Sequence, residues 1–330
     1  MVTFRQVART YVYLARAAER DRNRQAKESS RLYKEQIKQN EIENVTETIR
    51  RYEDYIKVLM SVHKNCADKI DWQQIIEDDE PLVEKNNLHE DAAQKILNDF
   101  TPSFFEKIFG SKKKTQSLEQ AIEQAKIQDK KDFDTAKETY ADWQKIHEIA
   151  NGVLAKNPQS YADALNYFEP FSSIDSFGSR IHMSFEKDYA EIELHVNDSE
   201  VIPDYIVSIT KTGKLSKKDM PKSKFNELYQ DYVCGGLLRV ARETLAHLPI
   251  QTVVVHAMAK MVNTATGHLE DVAIVSSIVP LETLNSLNFE TLDPSDSMKN
   301  FLHNMKFSKI NGFSQVDKLN IKEKIKSINS

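Results

Sequence analysis

The chain has 330 residues, 45 Lys and Arg against 50 Asp and Glu, a net charge of −5, and 40% hydrophobic residues, enough for at least one buried core. Eight Gly and nine Pro exclude collagen-like and Pro/Gly low-complexity character. No run of about 18 apolar residues exists, which excludes a transmembrane helix from the reading. Cys66 and Cys234 lie far apart and read as two reduced thiols, and the first residues do not read as a secretory signal, so the expected location is cytoplasmic.

Charge is spread unevenly. Residues 1–40 carry ten Lys and Arg against four acids, and residues 41–101 carry seven against fifteen. Antiparallel helices that neutralise one another, or a basic head for an acidic partner, both fit that pattern. Residues 3–64 contain neither Pro nor Gly, so propensity favours a long helix. Within it Ile42, Val45, Ile49, Tyr52, Ile56 and Leu59 recur in steps of three and four, a heptad seam that predicts a stalk interface. The acidic run Glu77–Glu80 into Pro81 breaks the pattern. A second helix, 88–100, places Leu88, Ala92, Ile96, Leu97 and Phe100 on one face, and Phe104, Phe105, Ile108 and Phe109 form an apolar knot after it. A third helix, 115–156, repeats a seam through Leu118, Ile122, Ala125, Phe133, Ala136, Tyr140, Trp143 and Ile146, interrupted by Asp129. The economical burial for such helices is an antiparallel coiled-coil hairpin, and the same seam would serve dimerisation equally well. Asn157–Pro158 reads as N-cap and N1 of a short helix to Phe168, and residues 170–179 as a loop between domains.

The period then changes. Ile181, Met183 and Phe185, then Ile192, Leu194 and Val196, alternate with polar residues and predict a strand pair, with a third strand at Tyr205–Lys211. Asp231–Leu248 reads as an apolar helix in which Gly235–Gly236 implies close packing. Thr252–Val262 and Val272–Val279 bracket a turn and predict a hairpin, and Asp293 to Asp296 opens a predicted last helix over 295–306. The expected class is α+β. A helical coiled-coil half (1–169) precedes a mixed or antiparallel sheet with helices on one face (178–312), and a polar tail (313–330) follows.

Motifs for phosphate loops, dinucleotide binding, nucleophile elbows and zinc proteases are missing from the sequence. His182, Glu191, Glu193 and His195 would share one face of the first hairpin and could hold a divalent ion, against the alternative of a surface ladder of opposite charges. Asp204 and Lys211 with the same acids lack one carboxylate of a metal-dependent nuclease pattern. Cys234 reads as a buried small hydrophobe rather than a nucleophile. Lys211, Lys214, Lys217, Lys218, Lys222 and Lys224 face a single acid, Asp219, and could neutralise phosphates. Interleaved aromatics for base stacking are missing there, and a solvated lysine loop is the alternative. Arg5, Arg9, Arg16, Arg20, Arg22 and Arg24 form a second basic candidate.

The segment Tyr229 to Arg242, with Leu292 to Asp296 later, resembles a group of bacterial proteins with a charged coiled-coil region ahead of an α/β C-terminal module. That resemblance implies a bacterial, cytoplasmic setting and carries over no catalytic residue. The reading leans away from an enzyme and calls for no cofactor. It expects a non-enzymatic assembly or interaction protein, a helical stalk for self-association or partner docking plus an α+β recognition domain, without a membrane partner. The alternative is a nucleic-acid-binding component of a bacterial defence or genome-maintenance system, with or without a cryptic metal-dependent nuclease site.

Overall fold

The computed structural model describes residues 24, 27–32, 45–101, 111–172, 180–211 and 214–322. Its helices are α1 (Val45–Met60), α2 (Trp72–Ile76), α3 (Leu88–Asp99), α4 (Ser111–Leu154), α5 (Pro158–Phe168), α6 (Lys222–His247), α7 (Leu281–Asn285) and α8 (Pro294–Ser297). Its strands are β1 (Arg180–Phe185), β2 (Tyr189–His195), β3 (Tyr205–Ile209), β4 (Leu215–Asp219), β5 (Thr252–Val262), β6 (Leu269–Pro280), β7 (Leu302–Ser308) and β8 (Gly312–Ser314). The class is α+β, with one long helix and a mixed sheet. No described helix is long and apolar enough to cross a membrane.

Contacts divide the chain into two compact units, Trp72–Asn151 and Met1–Asp71 with Gly152–Ser330. In the smaller unit, α4 is the 44-residue helix that its Pro-free sequence predicts. Asp129, which interrupts its apolar seam, is buried and accepts the N–H groups of His89 and Glu90 at the start of α3. The apolar face expected on α3 is not buried, since Leu88 is 68% and Ile96 59% exposed. A coiled coil is not shown.

In the larger unit, six strands run in the order β1-β2-β5-β6-β7-β8. Every neighbouring pair is antiparallel except β2 and β5. That parallel pair requires a crossover, which the chain makes through the separate β3–β4 ribbon and α6. Helix α6 covers the inner face against β2 and β5, where Ala190, Ile192, Leu194, Val253, Val255 and Ala257 are buried. Tyr161 of α5 is fully buried and its hydroxyl donates to the Lys187 carbonyl at 2.9 Å, which pins the β1–β2 turn.

Helix α1 lays its apolar row on α6 and β3. Its buried residues are Tyr52, Tyr55 and Leu59. The Tyr55 hydroxyl donates to Val201 O at 2.7 Å and that of Tyr52 to Tyr205 O at 2.9 Å. Of the expected stalk interface, Tyr52 and Leu59 are therefore buried in the α+β unit, Val45, Ile49 and Ile56 are half-buried, and Ile42 lies outside the described residues. Three-and-four spacing fits a helix on a sheet module as well as a helix on a helix, because both bury one stripe.

Three further differences have local causes. Strand β4 was hidden because Leu215 is its one apolar residue, and α6 starts at Lys222 rather than 231 because its first turn is lysine-rich and exposed. The predicted helix 295–306 is only α8, which the Asp293 side chain caps; after it His303, Met305 and Phe307 alternate on one face of β7. The polar tail begins instead with Phe313 in β8 and a segment whose Val316 and Ile321 are buried.

Candidate functional site

The outer face of the sheet gathers most of the polar residues singled out above. Alternation along β2 turns Glu191, Glu193 and His195 outward, and the register sets His182 of β1 opposite Glu193. On β5 the same face carries His256, paired with Glu193 on one side and Ser276 of β6 on the other. His256 is fully buried, with Nδ1 2.8 Å from Ser276 Oγ and Nε2 3.0 Å from Glu191 Oε1. Burial holds its pKa below the ordinary value, against the pull of Glu191. A carboxylate only accepts, so Nε2 carries the proton and Nδ1 of the neutral ring accepts from the Ser276 hydroxyl. Sequence reading missed this row, because His256 and Ser276 sit inside strands that read as apolar hairpin arms.

Ser276 is itself fully buried, and its oxygen also accepts the Leu319 N–H at 2.9 Å. Serine, imidazole and carboxylate in series can move a proton, but here the hydroxyl is enclosed and occupied. In this state the row is a satisfied polar core.

Of the four residues expected to hold a metal, His182, Glu193 and His195 lie side by side and Glu191 turns to His256. Glu191 is engaged by His256, and Glu193 by Lys318, whose ammonium holds the carboxyl below its usual range. The His182 and His195 rings meet edge to face at 5.3 Å, and His195 lies 3.9 Å from Glu193 and 3.8 Å from Asp271. Among the described residues no group of three His, Cys, Asp or Glu could hold a metal ion. The charge-ladder alternative describes these contacts better. Beside them, Arg180, His195, Asn197, Met258, Lys260 and Asp271 line an open cleft of about 270 Å³.

The six lysines spread over three elements rather than one loop. Lys217 and Lys218 lie on β4, Lys211 and Lys214 at the turn end of the ribbon, and Lys222 and Lys224 in the first turn of α6; all six are exposed. The Lys217 ammonium sits 3.6 Å over the Tyr205 ring. At the same end Ile209 and Leu215 pair across the strands and are 54% and 41% exposed. The six arginines Arg5 to Arg24 lie, apart from Arg24, outside the described residues. Cys234 is fully buried with its thiol pKa pushed up by burial, so it offers no thiolate.

A second group that sequence reading missed anchors the segment after α1. Arg239 and Glu243, both buried, pair at 2.6 Å. Glu243 accepts the Ala67 N–H at 3.2 Å, and the Arg242 guanidinium donates to the carbonyls of His63 and Lys64. Charged residues three and four apart inside an otherwise apolar helix were the available signal. The group holds backbone, a structural role.

No family model, no curated protein and no solved structure matches this chain.

Proposed function

We propose that this protein is a non-enzymatic interaction protein whose α+β unit docks on an acidic partner through the β3–β4 ribbon. One observation carries the reading. The turn end of the ribbon presents the cross-strand pair Ile209 and Leu215 to solvent, flanked by Lys211 and Lys214 at the turn and followed by Lys217 on the same face of β4. An apolar contact flanked by cations suits a protein surface with carboxylates beside an apolar patch. The ribbon stands apart from the six-stranded sheet, and while α1 packs on β3, the outer edge of β4 has no strand beside it among the described residues. Self-association through the helices belongs to the same proposal, supported by exposed Leu88, Ile96 and Ile127 on α3 and α4.

A second reading, nucleic-acid binding, is favoured by the six exposed lysines against the single acid Asp219. One pair of variants separates the two. Proteins cross-linked to the native chain in cells and lost on Ile209→Asp with Leu215→Asp support the docking reading; an unchanged set rejects it. Salt-sensitive mobility shift of DNA or RNA that survives those changes, but disappears on Lys217→Glu with Lys218→Glu, favours the phosphate reading.

A further inference from the structure

Residues 315–322, which follow β8, cross the outer face of the sheet without joining it as a strand. Val316 packs with Met258 and Ala273 at one end, and Ile321 packs with Val254 and Ile278 at the other, beside Leu319 and Tyr189. The segment thus covers an apolar stripe along β5 and β6. Acids flank that stripe: Lys318 reaches Glu193, and Lys322 reaches Glu186 at 3.0 Å.

The groove also offers fixed partners for backbone. Register slips between Ala257 and Met258, where the partners jump from Val275 to Ala273 and leave Ile274 as the extra residue. Such a bulge takes a peptide group out of the ladder, and the Ala273 carbonyl accepts the Val316 N–H at 2.9 Å. The Ser276 oxygen, set by His256, accepts the Leu319 N–H, and the Asn304 amide donates to the Asp317 carbonyl at 2.8 Å. None of these contacts reads a particular side chain. They hold any extended segment of the right apolar and basic spacing.

The segment is held point by point rather than by a strand ladder. Its ties include the hydrogen bonds to Ala273, Ser276 and Asn304 and the ion pairs of Lys318 and Lys322. Ion pairs as exposed as Lys322 with Glu186 contribute little. We propose that this strap is a releasable occupant, and that the groove beneath it binds an extended segment of a partner protein with apolar residues spaced as Val316, Leu319 and Ile321 and basic residues placed as Lys318 and Lys322. The site is separate from the β3–β4 ribbon and stands if the ribbon reading fails.

The test uses a fluorescent peptide of residues 313–322 and the full chain, native and with Lys318→Glu plus Lys322→Glu. Both changes are at exposed positions, and a thermal melt checks that the variant is folded. Tethering gives the native strap an effective concentration on the order of millimolar, so the variant, whose own strap Glu193 and Glu186 repel, should bind the peptide at least tenfold more tightly. Equal affinity, or no binding to either chain, overturns the proposal. Peptide-independent dimers of the variant in sedimentation also overturn it, because the groove would then be serving a second copy. A measurement on the native chain stands beside these: the Val316 and Leu319 amides should exchange at least a hundredfold faster than those of central β5. Equal protection makes the strap part of the permanent core and rejects release.

Discussion

Asp129 on α4 caps the distant helix α3: its carboxylate accepts the backbone N–H of His89 at 2.9 Å and that of Glu90 at 2.8 Å. The residue at the N-cap position of α3, Asn87, makes no capping bond of its own. Asp129 therefore supplies what the start of any helix lacks, acceptors for its first N–H groups and negative charge at its positive end.

Replacing Asp129 with Ala should loosen α3 first. Exchange of the His89 and Glu90 amides should rise well before that of central α4, and Asp129→Asn, which keeps one acceptor, should fall between. Burial works against ionisation of Asp129, but the two donated N–H groups outweigh it and hold its pKa below the ordinary value. A depressed carboxyl stabilises above its unfolded pKa and loses that contribution as pH falls through the folded one. Protection of α3 should therefore drop in acid in the native chain and be pH-independent in the Ala variant.

His63 gives the opposite kind of group. It is buried, and neither ring nitrogen has a hydrogen-bond partner. Burial lowers its pKa from 6.5 to about 4, with Lys64 and Arg242 adding to the shift and Asp293 and Glu290 opposing it. Between those values the unfolded chain takes up a proton that the folded chain refuses, so stability is lost as pH falls through that window. His63→Leu should remove about 2–3 kcal/mol of the stability difference between pH 7 and pH 4.5. Urea unfolding of both chains at the two pH values measures it, and parallel losses would show that His63 is not the group responsible.

Two of the helix glycines, Gly152 and Gly235, pull in opposite directions. A Cβ on Gly152 would lie 1.9 Å from Ser160 Oγ and 2.6 Å from Ser160 Cβ, so α4 and α5 approach where no side chain fits. Gly152→Ala should cost about 1–3 kcal/mol through overpacking. A Cβ on Gly235 would meet nothing closer than 3.7 Å, an ordinary contact with His63. Gly235→Ala should stabilise by up to about 1 kcal/mol from helix propensity. Thermal melts of the two single variants, shifted in opposite directions, check both.

What the sequence disclosed followed from how far each signal is local. Alternation in β1 and β2, the β-branched runs of β5 and β6 and the cap at Asn157 depend on neighbours in the chain, and they stand in the structure where they were read. The partner of a seam is a distant matter. Tyr52 and Leu59 show the same spacing whether they meet another helix or, as here, α6 and β3. The polar row on the sheet was legible in half: Glu191, Glu193, His182 and His195 lie on a mixed strand pair, whereas His256 and Ser276 are single polar residues in apolar strands. Lysine density gave β4 and the start of α6 the look of one loop, since exposure, not conformation, is what six lysines report.

Ser276 offers the most direct probe of the buried row. Its oxygen joins three elements, accepting from Leu319 while its hydroxyl serves His256 Nδ1. Ser276→Ala leaves the imidazole acceptor and the Leu319 N–H without a partner in a site closed to water, a loss of about 1–3 kcal/mol for a buried group. Unfolding in urea should register that loss, and Leu319 exchange should rise more than exchange in α6 on the other side of the sheet. Ser276→Thr keeps the hydroxyl and should recover most of the protection of Leu319, provided its added methyl fits beside Ile278 and Val254. If Ala and Thr protect Leu319 as well as Ser does, the strap is held by Val316 and Ile321 alone and the hydroxyl is incidental to it.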